Sequence, residues 1–223
     1  MANQQIIKKI ALETLNLESK SISNLSKVID ANFYEIINKL KVCNGKIVIT
    51  GIGKSAIIAM KISATLNSTG SKSMFLHLGD ALHGDIGAIG KDDIVICISK
   101  SGESKEIESL SNYLKNEDIE LIGISCVKDS LLDKLSDMFI HTEIEREACH
   151  NNLAPTTSSS CHLAIGDALA MTLQKLKGFS PSDFSVYHPS GNLGKKLSLK
   201  LKDLIDNNRI PKVKLSSTFF QII

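Results

Sequence analysis

The amino-acid sequence predicts an α/β protein, a three-layer α/β/α sandwich around a five-stranded parallel sheet. The main observation is that five short runs rich in Ile and Val recur along the chain, each separated from the next by a helix-length segment. These runs are continuously apolar rather than alternating, which is typical of strands that are covered on both faces. Strands that alternate with helices form βαβ units with right-handed crossovers, so we expect the sheet to be parallel.

The elements of the first two thirds of the chain follow from local patterns. Residues 3–42 carry apolar side chains at near-helical spacing and are predicted to be helical throughout. After them the pattern changes to short apolar runs bounded by Gly, Ser, Asp or Asn, as is typical of strands. The five strands are predicted at residues 46–50, 73–78, 93–99, 120–125 and 138–141.

The strand pattern stops after residue 141, and the remaining elements are predicted to be helical. Residues 156–177 form a long apolar helix that ends before Gly178, a residue suited to the left-handed position after a helix. Ser180 and Pro181 have the residue types of an N-cap and a first helical position, which predicts a short helix at residues 180–184. The segment at residues 188–205 is expected to turn into a final helix.

Length and composition limit the class of protein. The chain has 223 residues and a net charge of +2, which fits one large domain with short appendages and gives no electrostatic footprint for nucleic acid. We assign residues 1–210 to the domain and residues 211–223 to a C-terminal tail. There is no run of 18 apolar residues and no signal-peptide pattern at the start, so we expect no membrane association.

The five cysteines favour a cytoplasmic protein with reduced thiols. Their number is odd, they lie far apart, and a chain of this length does not need disulfides to bury a core. Two Cys-His pairs, Cys149-His150 and Cys161-His162, suggest a metal site at first sight. Their spacing fits no zinc pattern, because adjacent residues point in different directions, so packing is the preferred interpretation.

The first loop that indicates chemistry is Gly51-Ile52-Gly53-Lys54-Ser55, which follows the first strand and begins a helix. Glycines let the backbone approach an anion, and the helix N-terminus supplies free N–H groups. A P-loop is excluded because position 48 is Val. A dinucleotide fingerprint matches weakly, but the second strand ends in His77-Leu78-Gly79 without the acidic residue that would bind ribose.

The second loop is Ser99-Lys100-Ser101-Gly102-Glu103-Ser104, after the third strand and again before a helix. Its three hydroxyls around one glycine can surround a single phosphate with charge-assisted hydrogen bonds. A hydrophilic loop with an N-cap serine is the alternative. In a parallel sheet, ligands bind at the carboxyl ends of the strands near the topological switch point. Two such loops therefore predict a site for a small phosphorylated metabolite.

Seven short motifs follow one another along the chain. They are GIGKS, HGD at residues 83–85, SKSGES, EREAC, LAPTTSSS, GDALA and HPSGNLGKKL. These motifs resemble those of the sugar isomerase (SIS) domain, a flavodoxin-like fold, and in their combination and order they are similar to the arabinose 5-phosphate isomerases. The similarity covers about residues 10–211. The serine loop by itself is shared with sugar-phosphate sensors that are not enzymes, whereas the last three segments narrow the resemblance to the isomerases.

The resemblance implies an aldose–ketose isomerase that interconverts D-ribulose 5-phosphate and D-arabinose 5-phosphate and supplies Kdo and lipopolysaccharide synthesis. Such a reaction needs a base, an acid and a group that stabilises an oxyanion. The positions that match the family's proposed catalytic residues are Lys54, His83, Glu106, Glu147 and His188. Phosphate contacts are expected from Ser55, Ser99, Ser101 and Ser104, and substrate contacts from Gly70, Ser71 and His77.

Each candidate also has a structural alternative. Lys54 could be a counter-charge for phosphate rather than an oxyanion stabiliser. Glu106 could simply interact with the helix dipole, and Glu147 could be an ordinary surface glutamate. For His83, packing and a contact with the sugar phosphate are equally consistent with the sequence.

The resemblance also implies partners and cofactors. His188 reaches a neighbouring subunit in the family, which implies a homo-oligomer, with a tetramer as the expected state. No cofactor is required, and a divalent ion such as zinc at His77 would be non-catalytic. Family members commonly continue into a pair of CBS domains, so the tail at residues 211–223 could be the start of such a module.

Three departures from the family pattern bear on specificity. His77-Leu78-Gly79-Asp80-Ala81 stands where HPGEA is usual, SKSGES replaces SNSGES, and Asn151-Asn152 replace smaller apolar residues. Two alternatives to the pentose phosphate reaction therefore stay open. One is an SIS isomerase of another phosphosugar, and the other is a sensing module without catalysis.

Overall fold

A computed structural model of the chain describes residues 3–188 and 214–218, and it confirms the α/β sandwich. The chain divides into two units, Met1–Phe179 and Ser180–Ile223. Within the first unit the strands are β1 (Ile47–Gly51), β2 (Ser73–His77), β3 (Ile94–Ser99), β4 (Glu120–Ser125) and β5 (Met138–His141). The helices of this unit are α1 (Gln4–Asn24), α2 (Ala31–Val42), α3 (Lys54–Ser68), α4 (Leu78–Ala81), α5 (Lys105–Asn116), α6 (Leu131–Leu135) and α7 (Thr157–Leu176), with 3-10 turns at Leu25–Val28 and Asp85–Ala88.

The five strands form one parallel sheet in the order β2-β1-β3-β4-β5. Alternate residues of each strand face opposite layers. Ile47 and Ile49 of β1 belong to the core cluster with α2, α3 and α7, whereas Val48 belongs to the cluster with α4, α5 and α6. The inner strands β1, β3 and β4 are therefore buried on both faces, which explains why their sequences are continuously apolar, whereas the edge strands β2 and β5 include half-buried positions.

The prediction of one helix over residues 3–42 was wrong, because the structure breaks it into two. α1 ends in the 3-10 turn, and Asp30 then starts α2 as an N-cap whose side chain accepts a hydrogen bond from the Phe33 backbone N–H at 3.1 Å. The aspartate carboxylate accepts a hydrogen bond from a backbone N–H that has no partner in the first turn of a helix. A new helix therefore starts at this position.

α1 and α2 differ in burial although both carry apolar side chains. Phe33, Ile36 and Leu40 of α2 are in the core. In α1, by contrast, the apolar side chains Ile6, Ile7, Ile10 and Leu15 are each more than half exposed. The apolar pattern of α1 therefore marks a surface of this chain rather than its core.

A glycine in α7 sets how closely two helices approach. A Cβ on Gly166 would lie 2.2 Å from Cδ1 of Ile62 in α3, and Ile62 is buried. Glycine allows this contact because it has no side chain, although it costs helix stability. Close packing of α3 on α7 fixes the N-terminus of α3, where the first glycine loop lies.

The second unit contributes one described helix, α8 (Pro181–Tyr187). Ser180 is its N-cap and pairs with Asp183 in a capping box, which agrees with the predicted start at Ser180-Pro181. The helix predicted within residues 188–205 and most of the tail 211–223 lie outside the described residues. In the described part of the chain, no helix is long and apolar enough to cross a membrane.

Candidate functional site

The sheet order places the two predicted loops next to each other. β1 pairs with β2 on one side and with β3 on the other, so the topological switch point lies between β1 and β3. Gly51 at the end of β1 is in register with Ile98 of β3, one residue before Ser99. Adjacent strands are about 4.8 Å apart, so the glycine loop and the serine loop begin side by side.

The glycine loop presents an uncapped helix start. Gly53 is the N-cap of α3 with φ of 59°, and no side chain caps the helix. A Cβ on Gly51 would lie 2.9 Å from the Ile98 carbonyl oxygen, so glycine is needed where β1 and β3 approach. Lys54 is exposed and Ser55 is half-buried in the first turn. Backbone N–H groups, a cation and a hydroxyl thus lie within the first turn of one helix, which suits the binding of an anion.

The serine loop is held by its own hydroxyls. The Ser99 Oγ accepts from the Gly102 N–H at 3.0 Å, and the Ser101 Oγ accepts from the Glu103 N–H at 3.3 Å. Ser104 is the N-cap of α5 and accepts from the Ile107 N–H at 3.3 Å. Because Ser99 and Ser101 act as acceptors in these bonds, their O–H groups can still donate to a phosphate oxygen.

Gly102 and Glu103 anchor this loop to α6. A Cβ on Gly102, which has φ of 69°, would lie 2.3 Å from the Ser130 Oγ. The Gly102 carbonyl oxygen accepts from the Leu132 N–H, and Glu103 Oε1 accepts from the Leu131 N–H at 2.9 Å. Glu103 therefore caps α6, a contact between distant segments that the sequence did not reveal.

Glu106 lies in the first turn of α5, directly after the serine loop, and is partly exposed. Hydrogen bonds from its own backbone N–H and from the Ser104 hydroxyl hold the pKa of the Glu106 carboxyl below its usual value. The side chain is therefore an ionised carboxylate at neutral pH. It faces solvent beside the cradle, so it can accept a proton.

Glu147 is fully buried, so its structural alternative as a surface glutamate was wrong. Its Oε2 accepts from the Thr156 N–H at 2.8 Å and the Ser158 N–H at 3.2 Å, and its Oε1 accepts from the Ser158 hydroxyl at 2.6 Å. α7 has no acidic residue in its first turn, and Glu147 supplies that negative charge from outside the helix. Although burial opposes ionisation, hydrogen bonds from Ser158 and Thr156 outweigh it and lower the pKa of Glu147 to about 2.

Lys100 is a site residue that sequence reasoning did not select. Its Nζ lies 3.1 Å from Glu147 Oε1, which joins the serine loop to the loop before α7. The sequence did show a lysine in SKSGES and therefore a positive charge near the predicted phosphate site. It did not show that this lysine pairs with Glu147. The segment before α7 is also held by Asn152, whose Oδ1 accepts from the Glu147 N–H at 2.8 Å.

His77 and His83 flank α4 near the same edge of the sheet. The His77 Nδ1 is 3.5 Å from Asp80 Oδ2 without a hydrogen bond, and His83 is exposed. Zinc takes four ligands in structural sites. Within residues 3–188 and 214–218 no three His, Cys, Asp or Glu side chains are grouped to hold a metal. His77 and Asp80 would supply two ligands, so a divalent ion at His77 stays a prediction.

Gly70 and Ser71 do not lie at the carboxyl edge of the sheet, where the other predicted site residues of the same chain are. They precede β2, at its amino end, where the Ser71 Oγ accepts from Lys177 Nζ at 3.0 Å. Five residues of strand span about 16 Å, which separates them from the switch-point loops. A cavity of about 560 Å³, lined by residues of α5, α6 and the start of β4, also lies at this amino edge and includes no predicted site residue.

The remaining histidines have distinct surroundings. His162 is buried in α7 with its Nε2 3.5 Å from Cys126 Sγ, and burial lowers the pKa of His162 to about 4, so it is neutral in the core. His188 is the C-cap of α8 in the second unit, where its ring stacks on Phe184 and its Nδ1 donates to the Phe184 carbonyl oxygen at 3.0 Å. This bond leaves the Nε2 of a neutral His188 as an acceptor.

These observations define a doubly wound α/β protein whose switch point holds two loops suited to an anion, with ionised carboxylates beside them. The chain belongs to the SIS domain family, since the model of that family matches residues 39–172.

Curated relatives and a solved structure support the same family. The chain is 41% identical over 212 residues to the arabinose 5-phosphate isomerase KpsF of Escherichia coli O6:H1, covering 95% of this chain and 64% of the relative. It is 43% identical over 208 residues to the arabinose 5-phosphate isomerase KdsD of Francisella tularensis, covering 92% and 64%. It thus spans less than two thirds of the length of these relatives.

Among solved structures, Escherichia coli CFT073 c3406 in complex with arabinose 5-phosphate superposes with a TM-score of 0.81 and 38% identity. The match covers 84% of this chain and all of that one.

Proposed function

We propose that the protein is an aldose–ketose isomerase that interconverts D-ribulose 5-phosphate and D-arabinose 5-phosphate through an enediolate. The observation that carries the proposal is the placement of the serine loop, Lys54 and Glu106 around one switch point. A cradle for phosphate beside a free carboxylate is what a sugar-phosphate isomerase needs, because phosphate binding positions the reacting carbons. The named relatives and the solved structure with bound arabinose 5-phosphate support this choice of substrate.

The proposed binding mode uses the two helix starts. Phosphate oxygens accept hydrogen bonds from Ser55 and from Ser99, Ser101 and Ser104 of the serine loop. The sugar then extends from the cradle towards the carboxylates, with Lys54 beside the C1 and C2 oxygens. Lysine is a compact, mobile cation that can follow the charge as it moves between these oxygens.

The proposed chemistry transfers one carbon-bound proton. From open-chain arabinose 5-phosphate, a carboxylate removes the C2 proton while the C1 carbonyl oxygen gains a proton, which gives the enediol. The O2 proton then leaves and a proton is added at C1, which gives the ketose. Proton transfer is assigned to Glu106 and Glu147. Glu106 is the more accessible of the two, since both oxygens of Glu147 already accept hydrogen bonds.

The second unit and the exposed face of α1 support an oligomer in this proposal. His188, acting through Nε2, would assist ring opening in the site of a neighbouring subunit. A second copy would cover the exposed side chains of α1, such as Ile6, Ile10 and Leu15. We expect light scattering to give the mass of a tetramer, and a monomer at micromolar concentration would contradict it.

The wider role follows from the same proposal. The product would feed Kdo and lipopolysaccharide synthesis in the cytoplasm, and His83 would contact the sugar phosphate from the α4 side. The proposed reaction uses no cofactor, since enediol chemistry needs only acid–base groups and an oxyanion partner.

The decisive experiment is proton exchange in deuterated water. We expect the purified protein to convert each pentose phosphate to the other and to incorporate deuterium at C2 of arabinose 5-phosphate. Exchange only with a hexose phosphate would instead indicate an isomerase of another phosphosugar. Binding of sugar phosphates without any exchange would indicate a sensing module.

Replacing Ser99 by alanine tests the cradle. We expect the KM for arabinose 5-phosphate to rise about 10-fold with little change in kcat, because one charge-assisted hydrogen bond to a non-reacting group is lost. The matched control is Ser109→Ala, an exposed serine on α5 whose replacement should leave both constants unchanged. An unchanged KM in Ser99→Ala would remove this serine from the binding site.

A further inference from the structure

Lys100 links the serine loop to the buried carboxylate of Glu147. Its backbone separates Ser99 from Ser101 in the serine loop, and its Nζ contacts Glu147 at 3.1 Å. The Lys100 side chain is 36% exposed, whereas Glu147 is 0% exposed. The ammonium group is therefore at the boundary between a buried carboxylate and solvent, on a side chain that starts within the serine loop.

Glu147 does not depend on Lys100 for its hydrogen bonds. The Ser158 hydroxyl, the Ser158 N–H and the Thr156 N–H all donate to the carboxylate and come from the start of α7. The two N–H groups belong to the backbone at the start of α7, so the helix fixes their positions. Lys100 is the one charged partner in this set, and it sits on a flexible four-carbon stem.

We propose that the Lys100 ammonium is shared between Glu147 and the phosphate group bound in the serine loop, so that two anions compete for one cation. This inference rests on the proposed function only in that the serine loop takes a phosphate. In the free chain the cation neutralises Glu147. When a phosphate occupies the loop, Lys100 turns towards it and Glu147 keeps only its uncharged donors.

The competition couples substrate binding to the carboxylate. Linkage is reciprocal. The ionised Glu147 weakens phosphate binding, and bound phosphate destabilises the ionised form of Glu147 by the same free energy. A carboxylate that loses its cation becomes a stronger base, so the loop would raise the basicity of Glu147 only when a sugar phosphate is present. Lys100 is thus a positioning residue that acts through Glu147 and the phosphate.

Binding calorimetry with inorganic phosphate and with arabinose 5-phosphate tests the proposal. Glu147→Gln removes the competing anion, and we expect both ligands to bind about 5-fold more tightly. Lys100→Met keeps the stem without the charge and should weaken binding about 10-fold, whereas Lys100→Arg should stay within about 2-fold of the parent. In the double variant the gain from Glu147→Gln should vanish.

The control is Lys91→Met, which makes the same change in net charge at an exposed position before the amino end of β3 and should not affect binding. Unchanged affinity in Lys100→Met, or a gain from Glu147→Gln that persists without Lys100, would overturn the proposal. If Glu147→Gln does not fold, unchanged affinity in Lys100→Met would still overturn the proposal. A parent protein that binds phosphate without C2 exchange would end the isomerase proposal but leave this competition intact.

Discussion

Replacing Glu147 by glutamine is expected to lower the free energy of unfolding by about 3 kcal/mol at neutral pH. The carboxylate is fully buried and accepts hydrogen bonds from Thr156 and Ser158 while it pairs with Lys100. An amide has one oxygen and one NH2 group, so it leaves at least one donor of Thr156 or Ser158 unmatched in a buried place. Chemical denaturation followed by circular dichroism measures the difference.

The pH dependence gives a second readout of the same residue. The pKa of Glu147 is lowered from 4.5 to about 2 in the folded chain. Because the folded pKa is the lower one, this contribution to stability is complete above pH 4.5 and is lost as the pH falls towards 2. The stability gap between the parent and Glu147→Gln should therefore shrink by about 3 kcal/mol over that range.

The matched control is Glu145→Gln in the same segment. Glu145 forms an exposed ion pair with Lys20, and its replacement should change stability by less than about 1 kcal/mol. A Glu147→Gln variant as stable as the parent at pH 7, with the same acid dependence, would show that the carboxylate does not hold the start of α7 in place.

Replacing Glu106 by glutamine is expected to lower kcat for the pentose phosphate reaction about 1000-fold and to leave KM within about 3-fold. General acid–base groups contribute on the order of 10²–10⁴ to rate, and an amide cannot take the C2 proton. Binding should persist because the serine loop, not Glu106, holds the phosphate in the proposed mode. A coupled assay gives kcat and KM, and deuterium incorporation at C2 reports the carbon-proton step directly.

Glu108→Gln is the control for Glu106, since Glu108 is exposed in the same first turn of α5 and should not affect turnover. The pH profile adds a further check. Since the pKa of Glu106 is lowered by its own N–H and Ser104, activity should fall only below the ordinary pKa of a glutamate. Full turnover in Glu106→Gln would show that another residue removes the C2 proton.

Much of the fold could be predicted because it depends on local sequence. Strand positions followed from runs such as residues 93–99, since a strand buried on both faces must be apolar at every position. The break before α2 was missed because apolar spacing continues through it, whereas the Asp30 cap acts through a single side-chain bond. The spacing of apolar residues is judged over many positions, so it does not detect a helix start that depends on one capping side chain.

The candidate site was predictable to the extent that it lies at strand ends. Ser99 and Gly51 follow adjacent strands, and parallel strands bring their carboxyl ends to one edge. Gly70 and Ser71 lie at the opposite edge because they precede a strand rather than follow one. Their family resemblance carried no information on which edge of the sheet they occupy in this chain.

The sequence by itself determined the five strands and their succession along the chain, the parallel sheet and the two loops, because these follow from local apolar runs and from the turn residues between them. Only the tertiary structure decided the environment of Glu147, since the burial and pKa of a carboxylate depend on groups from segments far apart in sequence. Lys100 lies 47 residues before Glu147, and their ion pair forms only after the sheet has brought the two loops together.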